Sequence, residues 1–191
     1  MSTEAGLAIS ERGTLIIPIG RAALPFLKDE WGYAPLGLTL WPKAEHHFTV
    51  FGFSIGKHLG KARALPGFID WVNARIAAHD WSWQLGQQCY HLRQPAPRAL
   101  DTVVVRIEAR IAEFFAVVEA EARARGARPE LLEALAAPPP PHVTLYTSDR
   151  EGKQGIGLNR VADLDAAIAR GRAGDGSGLC AVEVPVGEVL G

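Results

Sequence analysis

Little in this sequence suits a long polyanion. Across 191 residues, Lys and Arg total 20 against 21 Asp and Glu, a formal net charge of −1 with His neutral. Proteins that grip an extended nucleic-acid backbone carry a basic excess, because each neutralised phosphate adds affinity. A long nucleic-acid tract is therefore not expected as a partner, whereas a small phosphorylated ligand or the end of an RNA stays compatible. Cysteine is scarce as well. Cys89 and Cys180 lie far apart with no Cys-x-x-Cys spacing, which points to two reduced thiols rather than a disulfide framework. No apolar run is long enough to span a membrane. No Gly-x-Gly-x-x-Gly or P-loop pattern opens a helix after a strand. The opening MSTEAGLAISERG lacks a basic start followed by an apolar stretch. The expectation is a cytoplasmic protein with no membrane partner. Nothing in the pattern specifies an oligomeric state.

What is present supports a sizeable core: 48% of residues are hydrophobic and 21% charged, ordinary globular values. One domain covering residues 1–191 is expected. Residues 14–19 read as a short strand, with Pro18 marking an edge. Residues 21–30 read as a short helix ending near Gly32. Residues 36–41 and 46–53 read as strands joined by a turn over 42–45 into a hairpin. Phe68, Ile69, Val72 and Ile76 have the spacing of one helical face within 67–79. Residues 81–92 and 102–107 read as strands. Residues 113–125 read as a helix with Phe114, Val117 and Val118 in line and Gly126 closing it. Pro129 opens a brief helix, and the prolines at 138–141 form a stiff lead-in to a strand over 142–146. Asp163 is read as capping a short helix to Arg170 with Gly171 after it, and residues 179–186 as a final strand. Interspersed helices and strands with a hairpin predict an α+β fold with antiparallel sheet.

Two segments are alike. His47-Phe48-Thr49-Val50-Phe51 and His142-Val143-Thr144-Leu145-Tyr146 each read His, apolar, Thr, apolar, aromatic. Residues two apart on a strand share a face. His47 and Thr49 therefore front one strand, His142 and Thr144 the other, while the intervening apolar residues can bury behind them. Regular alternation would add Phe51 and Tyr146 to the fronts. The residue types suit phosphodiester cleavage. Histidine titrates near neutral pH and can act as general base or general acid. Threonine hydroxyls can donate to non-bridging oxygens, where transition-state charge accumulates. This chemistry requires no metal, and a bell-shaped pH profile around neutrality is expected of it.

The paired motifs resemble the two signature motifs of the 2H phosphoesterase superfamily, which includes the RNA 2′,5′-ligase-like proteins and the cyclic nucleotide phosphodiesterases. Gly155-Ile156-Gly157-Leu158, after a polar loop, resembles an uncharacterised bacterial branch of it. The resemblance implies a bilobal, pseudo-twofold α+β fold, with antiparallel sheets flanked by helices around a central cleft. It implies His47 and His142 as the catalytic acid and base; His142 is taken as base and His47 as acid, while the near-symmetry of the motifs leaves the order open. Thr49 and Thr144 would bind phosphate, and no cofactor is implied. The implied activity is a metal-independent phosphodiesterase acting on a nucleotide or RNA-end phosphodiester, a 2′,3′-cyclic phosphate first of all. Two alternatives are a hydrolase of cyclic or 2′,5′-linked oligonucleotides and a non-catalytic binder of phosphorylated RNA ends. A coincidental pair of core strands is the minor reading.

Further residues are candidates for the rim. Both motif strands are read as running into basic loops, with Lys57, His58, Lys61 and Arg63 in the first and Arg150, Lys153 and Arg160 in the second. They can attract phosphate or simply form solvated surface; Lys153 is taken as a substrate-binding candidate. Tyr146 is another, as a base-stacking ring, whereas Phe51 is assigned to core packing. Trp81 and Trp83 are read as aromatic core. His46 should face away from His47. Cys89 and His91 share a face but lack further ligands for a zinc site. His79 is placed at a helix C-terminus.

Overall fold

The computed structural model describes residues 7–34, 37–62 and 65–190. The chain forms an α+β fold in which every strand pairing is antiparallel. A two-stranded sheet joins β1 (Leu15–Ile19) to β4 (His46–Phe51). A six-stranded sheet runs β2-β3-β7-β6-β5-β8, with β2 Trp31–Tyr33, β3 Leu38–Pro42, β5 Trp83–Gln94, β6 Leu100–Ala109, β7 His142–Thr147 and β8 Cys180–Val184. No helix among the described residues is long and apolar enough to cross a membrane.

The main core fills one side of the large sheet. There, Val103, Val105 and Ile107 of β6 and Val143 and Leu145 of β7 meet Phe48 and Val50 of β4. The same core takes in α1 (Phe53–Ala62), α2 (Phe68–Ala78), α3 (Ile111–Ala124) and α4 (Pro129–Ala136). A smaller core lies on the opposite side, where α5 (Val161–Ala173) sets Leu164 and Ala167 against Tyr90, Leu92 and Val104. Pro18 stands in β1, which among the described residues pairs with β4 alone, so its missing donor costs no ladder bond on the free side.

Several expectations need correction. Residues 21–30 are not a helix beyond a 3-10 turn at Arg21–Ala23. Pro25 disfavours helical geometry at Leu24, which adopts φ −127° and ψ 59°. The hairpin between the third and fourth strands is absent: β3 pairs with β2 and β7, and β4 pairs with β1. The expected start of β3 at Leu36 lies outside the described residues. The stretch after the first motif is not a loop but helix α1, whose Ile55 and Leu59 bury at i, i+4 spacing; Arg63 lies outside the described residues. Val117 points outward, 48% exposed, while Phe114 and Val118 bury. Asp163 is the third residue of α5, and its carboxylate accepts the Arg160 backbone N–H at 3.0 Å. Gly171 lies inside α5, where an added Cβ would meet the Ala181 carbonyl at 2.1 Å; the helix ends at Gly174 instead. A short helix α6 (Val186–Leu190) follows β8.

Candidate active site

Each motif strand has an apolar back and a polar front, as the alternation predicts. Phe48, Val50, Val143 and Leu145 are fully buried in the main core. On the fronts, His47, Thr49, His142 and Thr144 all line one cavity of about 420 Å³. The repeated His-x-Thr spacing thus converges at one place, because β4 and β7 lie beside each other in the folded chain.

The alternation then breaks, at the same place in both motifs. On β4, Ile16 pairs with Thr49 and the next residue back, Leu15, pairs with Phe51, so Val50 is an extra residue. On β7, Val104 pairs with Thr144 and Val103 with Tyr146, so Leu145 is the extra residue. These β-bulges reset which face the following side chain takes. Phe51 turns inward, its ring 5.7 Å from Phe114 and 5.4 Å from Phe115. Tyr146 turns inward too, fully buried and stacked on Trp31 at 5.7 Å. Its hydroxyl accepts the Lys28 backbone N–H at 3.0 Å. The expectation that Tyr146 faces substrate is therefore corrected: it is a core residue, and Phe51 is one as expected.

The bulge at Leu145 ties the motifs together. Its carbonyl accepts the Lys43 backbone N–H at 2.9 Å. His46 is buried and, by the alternation of β4, faces away from His47 as expected. His142 is buried, and its Nδ1–H donates to the Pro140 carbonyl at 2.7 Å. That bond leaves Nε2 as the nitrogen free to exchange a proton. The proline lead-in accordingly sets the ring orientation as well as the strand's direction. Burial is the main cause holding both His47 and His142 below their ordinary pKa of 6.5. Lys43 lowers His47 further while Glu45 opposes it. At His142 the Pro140 carbonyl favours the charged form, and the positive charges of Arg106 and His47 disfavour it.

One wall of the cavity is the loop after β7. Gly155, Ile156, Gly157 and Leu158 all border it, which places the loop motif noted in the sequence at the site. The Asp149 carboxylate shapes the loop by accepting the backbone N–H groups of Glu151, Lys153 and Gln154 at 3.2, 2.9 and 2.7 Å. Those bonds, that to Gln154 foremost, hold its pKa below the usual carboxylate value. Gly152 has φ +69°, and a Cβ there would lie 2.6 Å from the Pro42 carbonyl. Only glycine permits that approach. The loop is thus clamped to the turn preceding β4.

No family model, curated protein or solved structure matches this chain.

The rim differs from the sequence reading. Lys153 does border the cavity, but its side chain is 74% exposed and paired with Glu151 at 2.6 Å. Lys43 is the more enclosed cation. Its Nζ donates to the carbonyls of Lys153 and Gln154 at 2.7 and 3.1 Å, and burial lowers its pKa. The other expected basic residues are elsewhere. His58 and Lys61 line a separate cavity of about 190 Å³, Lys57 is exposed on α1, Arg150 is exposed away from the cavity lining, and Arg160 pairs with Asp163. Trp81 and Trp83 are partly buried and pack against the main core, and the Trp81 indole N–H donates to the Ile76 carbonyl at 2.9 Å. His79 caps α2 and meets Trp81 and Phe114 edge-on or tilted. Cys89 is buried, its thiol pushed up to about 11, and His91 is engaged by Asp101 at 2.8 Å.

Lys43, Glu45, Phe53 and Asn159 border the cavity without having been singled out in the sequence. Phe53 is the most conspicuous, an aromatic ring left 72% exposed at the start of α1. Its one visible signal is position, two residues beyond the strand and directly after Gly52.

Proposed function

We propose that this cavity is the active site of a metal-independent phosphodiesterase acting on a nucleotide or RNA-end phosphodiester, with a 2′,3′-cyclic phosphate as the best-fitting substrate. The observation that carries the reading is the convergence of His47, Thr49, His142 and Thr144 on one cavity. The resemblance of their motifs to those of the 2H phosphoesterases points the same way. So does the finer fold reading of two lobes related by an approximate twofold, which is supported by the bulges at matching positions after each Thr.

In this reading water attacks phosphorus as the bond to one ribose oxygen breaks. His142 Nε2 takes the water proton, and the imidazolium so formed is supported by the Pro140 carbonyl at Nδ1. That support is the reason for assigning His142 as base. His47, facing the same cavity and protonated at the outset, donates its proton to the departing ribose oxygen. Thr49 and Thr144 hydroxyls donate to the non-bridging oxygens, and Lys43 adds positive charge nearby. Phe53 offers an exposed face on which a nucleobase can stack.

The test is a panel of 2′,3′-cyclic mononucleotides, 2′,5′-linked dinucleotides and RNAs with cyclic phosphate ends, incubated in EDTA and read by mass spectrometry. Ring opening of the cyclic phosphates, lost in His142→Ala, is the expected result. Tight binding of phosphorylated RNA ends without turnover of any panel member would replace the hydrolase with a binding module.

A further inference from the structure

Arg106 stands directly across from His142 in the ladder between β6 and β7. Paired residues of antiparallel strands project to the same face, so Arg106 lies beside the proposed base on the face that carries His142 and Thr144. It has no acidic partner within ion-pairing distance among the described residues, unlike Arg93, Arg110, Arg123, Arg125 and Arg160. Its Nε is buried with nothing to donate to. A partly buried guanidinium with an orphaned donor is costly. Its charge also works against a neighbouring His142 that has to accept a proton. An anion at the accessible end of the guanidinium relieves the second cost.

That anion is not the reacting phosphate. Arg106 does not border the cavity between His47 and His142, where Lys43 and Lys153 are the cations. It sits one strand further along the sheet from His142, a step of ~5 Å, which is within the span of two successive phosphates on one strand. We infer that Arg106 binds a second phosphate, adjacent in the chain to the one being cleaved, so that the substrate is an oligonucleotide end rather than a cyclic mononucleotide. This inference rests on the phosphodiester reading of the main cavity.

Calorimetric titration with adenosine 3′-monophosphate and adenosine 3′,5′-bisphosphate tests it without requiring turnover. Wild-type protein should bind the bisphosphate about tenfold more tightly than the monophosphate, the scale of one hydrogen-bonded charge pair. In Arg106→Gln the two Kd values should come within twofold of each other, through loss of bisphosphate affinity alone. Arg106→Lys should keep part of the preference, because it retains the charge without the planar fork. Equal affinities in the wild type, or equal weakening of both ligands in a folded Arg106→Gln, would overturn the inference, as would a wild type that binds neither. A wild type that shows the preference but opens no cyclic phosphate would leave Arg106 as assigned and remove the hydrolase reading instead.

Discussion

Val50 and Leu145 occupy the same position in two different strands: each is the extra residue of a β-bulge placed directly after a motif threonine. Up to that threonine the strand alternates, which keeps His and Thr on the cavity side. Beyond it the chain turns its aromatic residue into the core. The two bulges therefore limit each polar front to two side chains and anchor each strand by a buried ring, Phe51 in one and Tyr146 in the other.

The ring placement separates Tyr146 from Phe53 experimentally. Tyr146→Phe removes the acceptor for the Lys28 N–H and should cost about 1 kcal/mol of stability, with KM unchanged within twofold. Phe53→Ala should leave stability nearly untouched, since the ring is mostly exposed. It should raise KM about tenfold for a nucleoside cyclic phosphate and not at all for ribose 2′,3′-cyclic phosphate, which has no base. Chemical denaturation and steady-state kinetics on both substrates give the two readouts.

The acid and base assignments predict unequal responses to the leaving group. On a ribose ester, His47→Ala and His142→Ala should each lower kcat by about 10²-fold or more. On an aryl phosphodiester, whose leaving group departs without a proton, His47→Ala should recover most of its rate and His142→Ala should not. Recovery in His142→Ala alone would reverse the assignment.

Thr49→Ala and Thr144→Ala should each raise KM and lower kcat, because a donor to a non-bridging oxygen acts in both ground and transition states. Thr→Ser at either position keeps the hydroxyl and should retain most of kcat/KM. Full activity in both alanine variants would remove the threonines from the phosphate site.

Acid should weaken both the fold and the activity. His46, His47, His91 and His142 are all held below 6.5, burial being the largest cause in each. As pH falls below 6.5 the unfolded chain takes up protons that the folded chain still refuses, so stability drops through that window. Above 6.5 both states are neutral at these rings and the effect vanishes. Tm measured from pH 8 to 5 should be flat at first and then decline. The same lowered values move the kcat/KM optimum of the free enzyme to the acid side of 6.5, away from the neutral optimum expected from unperturbed histidines.

Lys43→Met should loosen the loop wall. The ammonium holds two loop carbonyls, and hydrogen bonds to a charged group contribute about 1.5–3 kcal/mol each before discounting for solvent. Faster amide exchange at Gln154 and Lys153, with a lower kcat/KM, is the expected outcome. Unchanged exchange would mean that Asp149 and Gly152 hold the loop unaided.

What could be read in advance followed from local pattern. His47, Thr49, His142 and Thr144 were legible because period-two spacing survives folding wherever one face of a strand is buried. The helix around Phe68, Val72 and Ile76 was legible from its own apolar stripe. The bulges were not, since neither Val50 nor Leu145 is a residue type that demands one. The pairing of β3 with β7 was hidden for a different reason: it joins Trp41 to Thr147, far apart in sequence, while a short turn suggested a local hairpin. Helix α1 was obscured by Gly56 and Gly60, poor helix formers, although Ile55 and Leu59 mark its buried side. Arg106 carried no signal beyond being a charge in a β-branched run; its meaning comes only from the residue opposite.

The carbonyl of Leu145, holding the Lys43 backbone N–H, has a consequence for cooperativity. A two-stranded sheet such as β1–β4 is marginal on its own in water, and here it is held to the larger sheet by the core it shares through Phe48 and Val50 and, at the turn before β4, by that oxygen. Opening it would separate the motifs before the rest of the chain melts. Half of the site can therefore exist in a partly folded molecule, but not the whole of it. Activity lost during gentle denaturation should accordingly report the detachment of β4, ahead of any change in the helices.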